Sequence, residues 1–367
     1  MLSVVLQNSI VVLLLAASCI LVRRLVRQPY WPVARRALGR NRAARLSFVV
    51  LCVYAAIGVC DSIVWRDPLM DAQGRAVFDH AGGQLYRAAP LSVLDRLCTP
   101  IRRAQEKTYS APFASRQLSK ETILRADGSV DRVAPPLNYP GRHLLGTDKV
   151  GHDVLYSTLK GIRTALILGV FTSLIAIPFA LLFGIVAGYF GGLVDDAVQY
   201  IYTTLMSIPG ILLMVAFMLL FGRGLTQLCI IMGITTWTGL CRLVRAESIK
   251  LRELDYVAAA EALGVHRVVV CVRHIMPNVM HIIIISAVLN FSSLVLSEAI
   301  LSYIGIGVGP GTGSWGNMIN NARLELARAP VVWWNLAGAF IGMFTLVLSA
   351  NLFGDALRDA LDPRLKE

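Results

Sequence analysis

Charge is scarce in this sequence. Asp, Glu, Lys and Arg make up 16% of the 367 residues, against 56% hydrophobic, which excludes an ordinary soluble domain, where about a quarter of residues are charged. Acids are scarcer than bases, 23 against 35, leaving a net charge of +12. The arginines cluster beside apolar runs, where the positive-inside rule puts them, so orientation in a membrane explains the excess better than a nucleic acid partner does. The seven cysteines fall mostly inside apolar stretches and show no metal-ligand spacing, so neither a disulfide framework nor a metal site is expected. Catalytic patterns are missing too. There is no Gly-Lys-Ser/Thr loop, no Ser-His-Asp order and no metal-binding helix, and the glycine-rich Gly305 to Gly313 has no Gly-x-Gly-x-x-Gly register and no preceding strand. Chemistry carried out by the chain itself is therefore not expected.

Long apolar runs dominate what is present. Leu2 to Val22 is long enough to cross a bilayer, has no basic segment before it and no Ala-x-Ala site after it, and is followed by eight arginines without an acid between Arg23 and Arg45. The N-terminus is thereby expected outside. Further spans are predicted at about Leu46 to Val64, Thr164 to Tyr189, Ile201 to Phe221, Thr226 to Leu243, Val279 to Ile304 and Val331 to Phe353, making an all-α polytopic helix bundle of about seven transmembrane helices. Between the second and third lies a polar segment, 65–160, read as an extracytoplasmic insert. In it Asp127-Gly128-Ser129 suggests a tight turn and Pro135-Pro136 extended chain. His80 and His143 are taken as surface residues. Asp148 and Asp153 are read as caps at helix starts, with a metal site of Asp148, His152 and Asp153 as the sharper rival.

Inside the spans, three residues are candidates for a pathway or gate. Pro209 in mid-span frees a backbone carbonyl. Asn290 and Glu298 are polar groups in an apolar run, where a charge is costly against lipid, so Glu298 is expected to face the protein interior. The polar-edged stretch from Leu254 to Asn278 is read as a docking element. Ala258, Ala259, Ala260 and Ala262 favour a short helix with a bare face, Gly264 stops it, and Pro277 punctuates the approach to the next apolar run.

Several blocks carry a family resemblance. Leu145-Gly-Thr-Asp-Lys-Val-Gly-His-Asp-Val-Leu155, Gly188-Tyr-Phe-Gly-Gly-Leu-Val-Asp195, Glu298-Ala-Ile-Leu-Ser-Tyr-Ile-Gly-Ile-Gly307, Ser314-Trp-Gly-Asn-Met318 and Asn351 to Pro363 resemble the signatures of binding-protein-dependent ABC importer permeases, with the Trp-Gly pair on an outer loop. The motif of that family, Glu-Ala-Ala followed by Gly and later Ile-x-Leu-Pro, falls on Ala258, Ala259, Ala260, Gly264, His274, Met276 and Pro277; the Ala and His variants resemble the peptide and nickel branch. His152 stands where the family usually has Arg.

The resemblance implies a helix bundle of the type I ABC importer permease kind. Residues 1–45 would be an extra N-terminal span and basic cytoplasmic loop, 46–64 the first family-type helix, 65–160 the insert, 161–353 the permease core with a cytoplasmic coupling loop at 245–278, and 354–367 a cytoplasmic tail. It also implies that Tyr256, Ala258, Ala259, Ala260, Ala262, Leu263, Gly264, His274 and Pro277 couple to an ATPase subunit. The implied function is that of a non-catalytic permease subunit in the bacterial inner membrane, multi-pass and in contact with lipid. It would pass di- or oligopeptides inward by alternating access, with a sister permease, two ABC ATPase subunits and an extracytoplasmic solute-binding protein as partners. This chain would bind no cofactor; ATP and Mg would sit on the ATPase subunits. Nickel, an opine or another small solute is the alternative cargo. A stand-alone secondary transporter or channel is the alternative of another class; only Glu298 and His281 suit the ionisable relay it needs, and no internal repeat is present.

Overall fold

The computed structural model describes residues 2–26, 31–71, 75–78, 84–87, 90–124 and 130–361. Arg27, His80, the turn at Asp127-Gly128-Ser129 and the tail from Asp362 to Glu367 lie outside the described residues. The chain opens with α1 (Leu2–Val26), α2 (Trp31–Arg40) and α3 (Arg42–Ser62). A mostly non-helical segment follows, in which β1 (Val64–Trp65) pairs antiparallel with β2 (Leu91–Ser92), α4 (Val93–Leu97) and α5 (Thr99–Arg102) are short, and β3 (Glu121–Leu124) pairs antiparallel with β4 (Val130–Val133). These two small ladders interrupt an otherwise helical chain. Then come α6 (Val154–Phe190), α7 (Gly192–Ser207), α8 (Gly210–Phe221), α9 (Leu225–Arg252), α10 (Asp255–Ala262), α11 (Arg267–Val270), a π-turn (Cys271–Ile275), α12 (Met276–Ile304), α13 (Trp315–Ala322), a 3₁₀ turn (Glu325–Ala327) and α14 (Trp334–Leu361).

Five helical runs are long and apolar enough to cross a membrane, namely α3, α6, α9, the continuous run Arg267–Ile304 and α14. The expected fourth span, Ile201 to Phe221, is corrected: it breaks into α7 and α8 with an 81° bend. Pro209 lies in the break as the residue capping α8 and not inside a helix, because a proline offers no N–H and cannot continue the preceding turns. The broken pair counts as a sixth span if it crosses as one. In α1 the apolar stretch is Val4–Ile20, about 25 Å at 1.5 Å per residue, a little short of the ~30 Å hydrocarbon core. Helix ends also differ from expectation. α6 begins at Val154, so the insert stops before 160; α9 runs on to Arg252, and α14 continues to Leu361 through much of the expected tail.

The chain divides into two compact units. The first comprises 1–32, 50–163 and 313–342. In it Asn8 clasps the backbone of Val64, its Nδ2 donating to the carbonyl at 2.7 Å and its Oδ1 accepting from the amide at 3.0 Å, while Gln7 donates to the Ser62 carbonyl. The first turns of α1 therefore lie at the end of α3 that leads into the insert, the side on which the sequence places the N-terminus. A small core of Tyr109, Val154, Val332 and Trp334 holds the insert. Trp334 is buried, its indole donating to the Thr147 carbonyl at 2.9 Å, whereas its neighbour Trp333 is exposed. In the connection between α12 and α14, Trp315 opens helix α13, capped by the Ser314 hydroxyl, which accepts from the amides of Gly316 and Asn317.

His143 corrects the sequence reading most sharply. It is 2% exposed, with Nδ1 2.9 Å from Asp153 Oδ2 and Nε2 3.8 Å from Glu106 Oε1. Glu106 in turn accepts from the amides of Asn138 and Tyr139. Asp153 does cap α6, accepting from the Tyr156 amide, whereas Asp148 caps only its own turn through the amides of Val150 and His152. No cluster of three metal-ligating side chains forms among the described residues, so the rival metal site of Asp148, His152 and Asp153 is not assembled.

The second unit comprises 33–49, 164–312 and 343–367. α6 and α9 approach closely where side chains vanish. A Cβ placed on Gly188 would lie 2.7 Å from the Arg245 carbonyl oxygen, and one on Gly184 2.9 Å from that of Cys241. This small-x-x-x-small pattern lets two membrane helices meet backbone to backbone. Apolar side chains of α6, α9 and the run 267–304 then form one core that reaches into α10 through Val257 and Ala260.

Candidate functional site

The element Leu254 to Asn278 stands at the end of α9 in the second unit. Asp255 opens α10, where a carboxylate suits the positive end of the helix dipole. Its end is a Schellman turn: the Gly264 amide donates to the Glu261 carbonyl at 2.9 Å and the Val265 amide to the Ala260 carbonyl at 3.1 Å. That turn needs a left-handed residue, and Gly264 has φ +78° with nothing within 4 Å of a would-be Cβ. The demand falls on the backbone alone.

Val257 and Ala260, one turn apart, face inward into the core. Ala260 is therefore corrected from a docking residue to an anchoring one; its three-residue spacing from Val257 puts both on the same face of the helix. The outward face carries Ala258, Ala259, Ala262 and Tyr256, and Leu263 is 84% exposed. A large apolar side chain so fully exposed beside three small ones makes a flat, sticky surface with room for close approach.

Pro277 is likewise corrected. It does not punctuate the helix but lies in the first turn of α12, inside the continuous run Arg267–Ile304. The π-turn immediately before it, closed by the Met276 amide on the Cys271 carbonyl, widens the helix where proline lacks a donor. His274 falls within that turn. It is brought beside Tyr256, ring centroids 6.2 Å apart. Asn278 joins them, its Nδ2 donating to the Tyr256 hydroxyl at 3.1 Å and to the His274 carbonyl at 2.7 Å. Tyr256, His274 and Pro277 thus belong to one small patch where α10 meets the foot of α12.

Three tethers were missed in the sequence. The Tyr189 hydroxyl, at the end of α6, donates to Glu261 of α10. Arg252 donates to the Tyr189 carbonyl at 3.3 Å. Arg245 of α9 meets Asp195 of α7 in a bidentate pair, Nε to Oδ1 at 2.5 Å and the second nitrogen to Oδ2 at 2.6 Å. The signal was available in part: Tyr189 and Asp195 both stand in the 188–195 block. Through these contacts α10 is fastened to α6 and α12, while α7 is fastened to α9.

The pathway candidates do not gather around one cavity. Pro209 itself does not line the groove of about 190 Å³ at the α7/α8 break, which its neighbours Ile208 and Gly210 line together with Thr235 and Thr238 of α9. Asn290 is exposed on α12. Glu298 is 3% exposed, as expected of an inward-facing acid, and accepts from the Ser302 hydroxyl at 2.7 Å, which in turn accepts from the Val308 amide at 3.3 Å.

Comparison with known proteins bears on the same stretch. The family described as "Binding-protein-dependent transport system inner membrane component" matches residues 180–367, which contain α7 to α14 and the whole of the Leu254 to Asn278 element. The Dipeptide transport system permease protein DppC of Lactococcus lactis subsp. cremoris is 34% identical over 66% of this chain and 71% of its own length. The Oligopeptide transport system permease protein OppC of Haemophilus influenzae is 32% identical over 80% of this chain and 91% of its own. Among solved structures, an inward facing conformation of the MetNI methionine ABC transporter aligns with a TM-score of 0.43 and 18% identity over 57% of this chain and 94% of that one.

Proposed function

We propose a function from one premise: this chain belongs to the family of binding-protein-dependent transport system inner membrane components. It is a multi-pass inner membrane permease subunit of an ABC importer, and its cargo is peptide, the class named for its dipeptide and oligopeptide permease relatives. A sister permease completes the translocation unit, two ATPase subunits bind ATP and Mg and hydrolyse the nucleotide, and an extracytoplasmic binding protein delivers the peptide. This chain takes no part in the hydrolysis.

The observation that carries the reading is α10, anchored on one face by Val257 and Ala260 and offering Ala258, Ala259, Ala262 and Leu263 on the other. A docked ATPase that moves when it binds nucleotide displaces α10, and the Tyr189 to Glu261 tether and the Tyr256, His274 and Asn278 patch pass that displacement to α6 and α12. Nucleotide shifts the two access states only through its different affinity for each. The broken α7/α8 span with Thr235 and Thr238 supplies uncharged hydrogen-bonding groups beside the helix break, where irregular backbone suits a cavity better than lipid. Purification of the tagged chain from its native membrane tests the assembly. Two ATPase chains should come with it, and the reconstituted complex should hydrolyse ATP faster with peptide-loaded binding protein. Recovery of no ATPase chain would overturn the reading.

Glu298 allows a narrower test. Its carboxylate acts here as an acceptor for Ser302, a role that a Gln side-chain oxygen fills equally well. Glu298→Gln should keep peptide uptake within about twofold of wild type, while Glu298→Leu strands the Ser302 hydroxyl and weakens the 305–308 turn by about 1–3 kcal/mol. Loss of uptake in the Gln variant would show that the charge itself is needed.

A further inference from the structure

Trp65 lies three residues beyond the end of α3, a span by length and composition, and therefore at the height of the lipid headgroups. There the first unit forms a pocket of about 290 Å³ lined by Trp65, Asp67, Arg96, Thr99, Arg102 and Arg103. Three guanidinium groups against one carboxylate give the lining a net charge of +2. The carboxylate is partly occupied, since Asp67 Oδ1 accepts from the Trp65 indole at 3.0 Å. The Arg96 guanidinium rests over the Trp65 ring at 5.8 Å, which fixes it in place without neutralising it. Arg102 Nε is buried with no hydrogen-bond partner among the described residues. A buried N–H without an acceptor costs free energy, and a charged one more.

From these observations we propose that the pocket binds the phosphate-bearing headgroup of an anionic membrane phospholipid. Guanidinium forks match phosphate oxygens in pairs, and the Arg102 Nε proton supplies a donor already desolvated. The volume lies at the lower edge of small-ligand pockets, which suits a headgroup and is tight for a peptide. Leu97, next to Arg96 in sequence, is 68% exposed, and Ile63 is also exposed. Apolar side chains bared beside arginines belong at the boundary between headgroups and acyl chains. A soluble anion would satisfy the arginines equally well but leaves those two side chains in water.

The inference rests on the membrane reading of α3 and not on peptide transport, so its test can fail without the transport reading failing. The full importer complex is delipidated in detergent and offered phosphatidylglycerol, phosphatidylcholine or inorganic phosphate, with retained lipid counted by native mass spectrometry and unfolding followed by heat. Wild type should retain phosphatidylglycerol and unfold at a higher temperature with it, and neither phosphatidylcholine nor phosphate should substitute. Arg102→Gln should weaken retention about tenfold, as expected for one lost charge-assisted hydrogen bond. Arg96→Gln with Arg103→Gln, both exposed positions, gives the same readout if Arg102→Gln fails to fold. Arg142→Gln, elsewhere on the insert, should change nothing. Equal retention by wild type and the pocket variants, or full stabilisation by phosphate alone, would overturn the proposal.

Discussion

Gly264→Val should uncouple the importer: uptake falls at least about tenfold while ATP hydrolysis by the assembled complex persists. The physical cause is confined to the backbone. Gly264 holds φ +78°, and a Cβ there meets nothing within 4 Å among the described residues. A β-branched residue in that left-handed conformation nevertheless costs about 1–2 kcal/mol. The turn escapes the cost by opening, which gives up the hydrogen bonds from Gly264 to Glu261 and from Val265 to Ala260. α10 then frays at its end, and Leu263 loses its fixed direction. Insertion should be intact, since the apolar cores of α6, α9 and α12 do not depend on this turn.

A graded series separates backbone demand from partner contact. Asn tolerates the left-handed region, so Gly264→Asn should keep most uptake and Gly264→Ala should fall between Asn and Val. If Asn uncouples as strongly as Val, a partner surface fills the open space beside Gly264 and bulk is the fault. Normal uptake in the Val variant would remove the coupling role from this turn altogether. The readouts are peptide uptake into proteoliposomes and ATPase rate on the same preparations.

The contrast between Gly264 and its surroundings shows which features the sequence could disclose. A glycine closing an alanine-rich stretch signals a left-handed stop whatever lies around it, and apolar length marks the spans, because both are local properties. Ala260 was misassigned because four alanines look alike until Val257 is seen to share a face with one of them. Pro277 was taken for punctuation because a π-turn leaves no compositional trace. His143 was assigned to the surface because Glu106 is far from it in sequence and Asp153 was already explained as a cap. Lone polar residues in a long insert acquire burial only from tertiary contacts, and the Asp195 to Arg245 pair likewise forms only when α7 packs on α9.

Lys160→Met should loosen the first unit markedly. Lys160, on α6, is a cation shared by two carboxylates: its Nζ lies 2.5 Å from Asp61 Oδ1 and 3.0 Å from Asp95 Oδ1. Asp61 is 1% exposed at the end of α3, and Asp95 on α4 is buried as well. The Ser92 hydroxyl donates to Asp61 at 2.7 Å, the Tyr156 hydroxyl to Asp95 at 2.6 Å and the Ser92 amide to Asp95 at 2.9 Å. Burial by itself raises the Asp95 pKa, but the Tyr156 hydroxyl, the Ser92 amide and the Lys160 ammonium together hold it below its ordinary value of 3.8. A depressed carboxylate pKa contributes stability that is complete above the ordinary value and is lost as pH falls through the folded one. Wild type should therefore stay firm to about pH 4 and loosen only below it. Met at 160 preserves the stem and deletes the charge, leaving two buried carboxylates to share hydroxyl and amide donors. With Lys160 a quarter exposed, the expected loss is about 3 kcal/mol, the lower end for a broken buried pair. Without the cation, loosening should begin at higher pH than in wild type. Asp61→Asn added to Lys160→Met should restore most of the loss, because one uncompensated charge disappears and the amide still accepts from Ser92. Heat unfolding of the three proteins in one detergent across pH 3 to 8 gives the comparison. Equal midpoints for wild type and Lys160→Met, or a double variant weaker than the single one, would show that the ammonium does not hold these elements together.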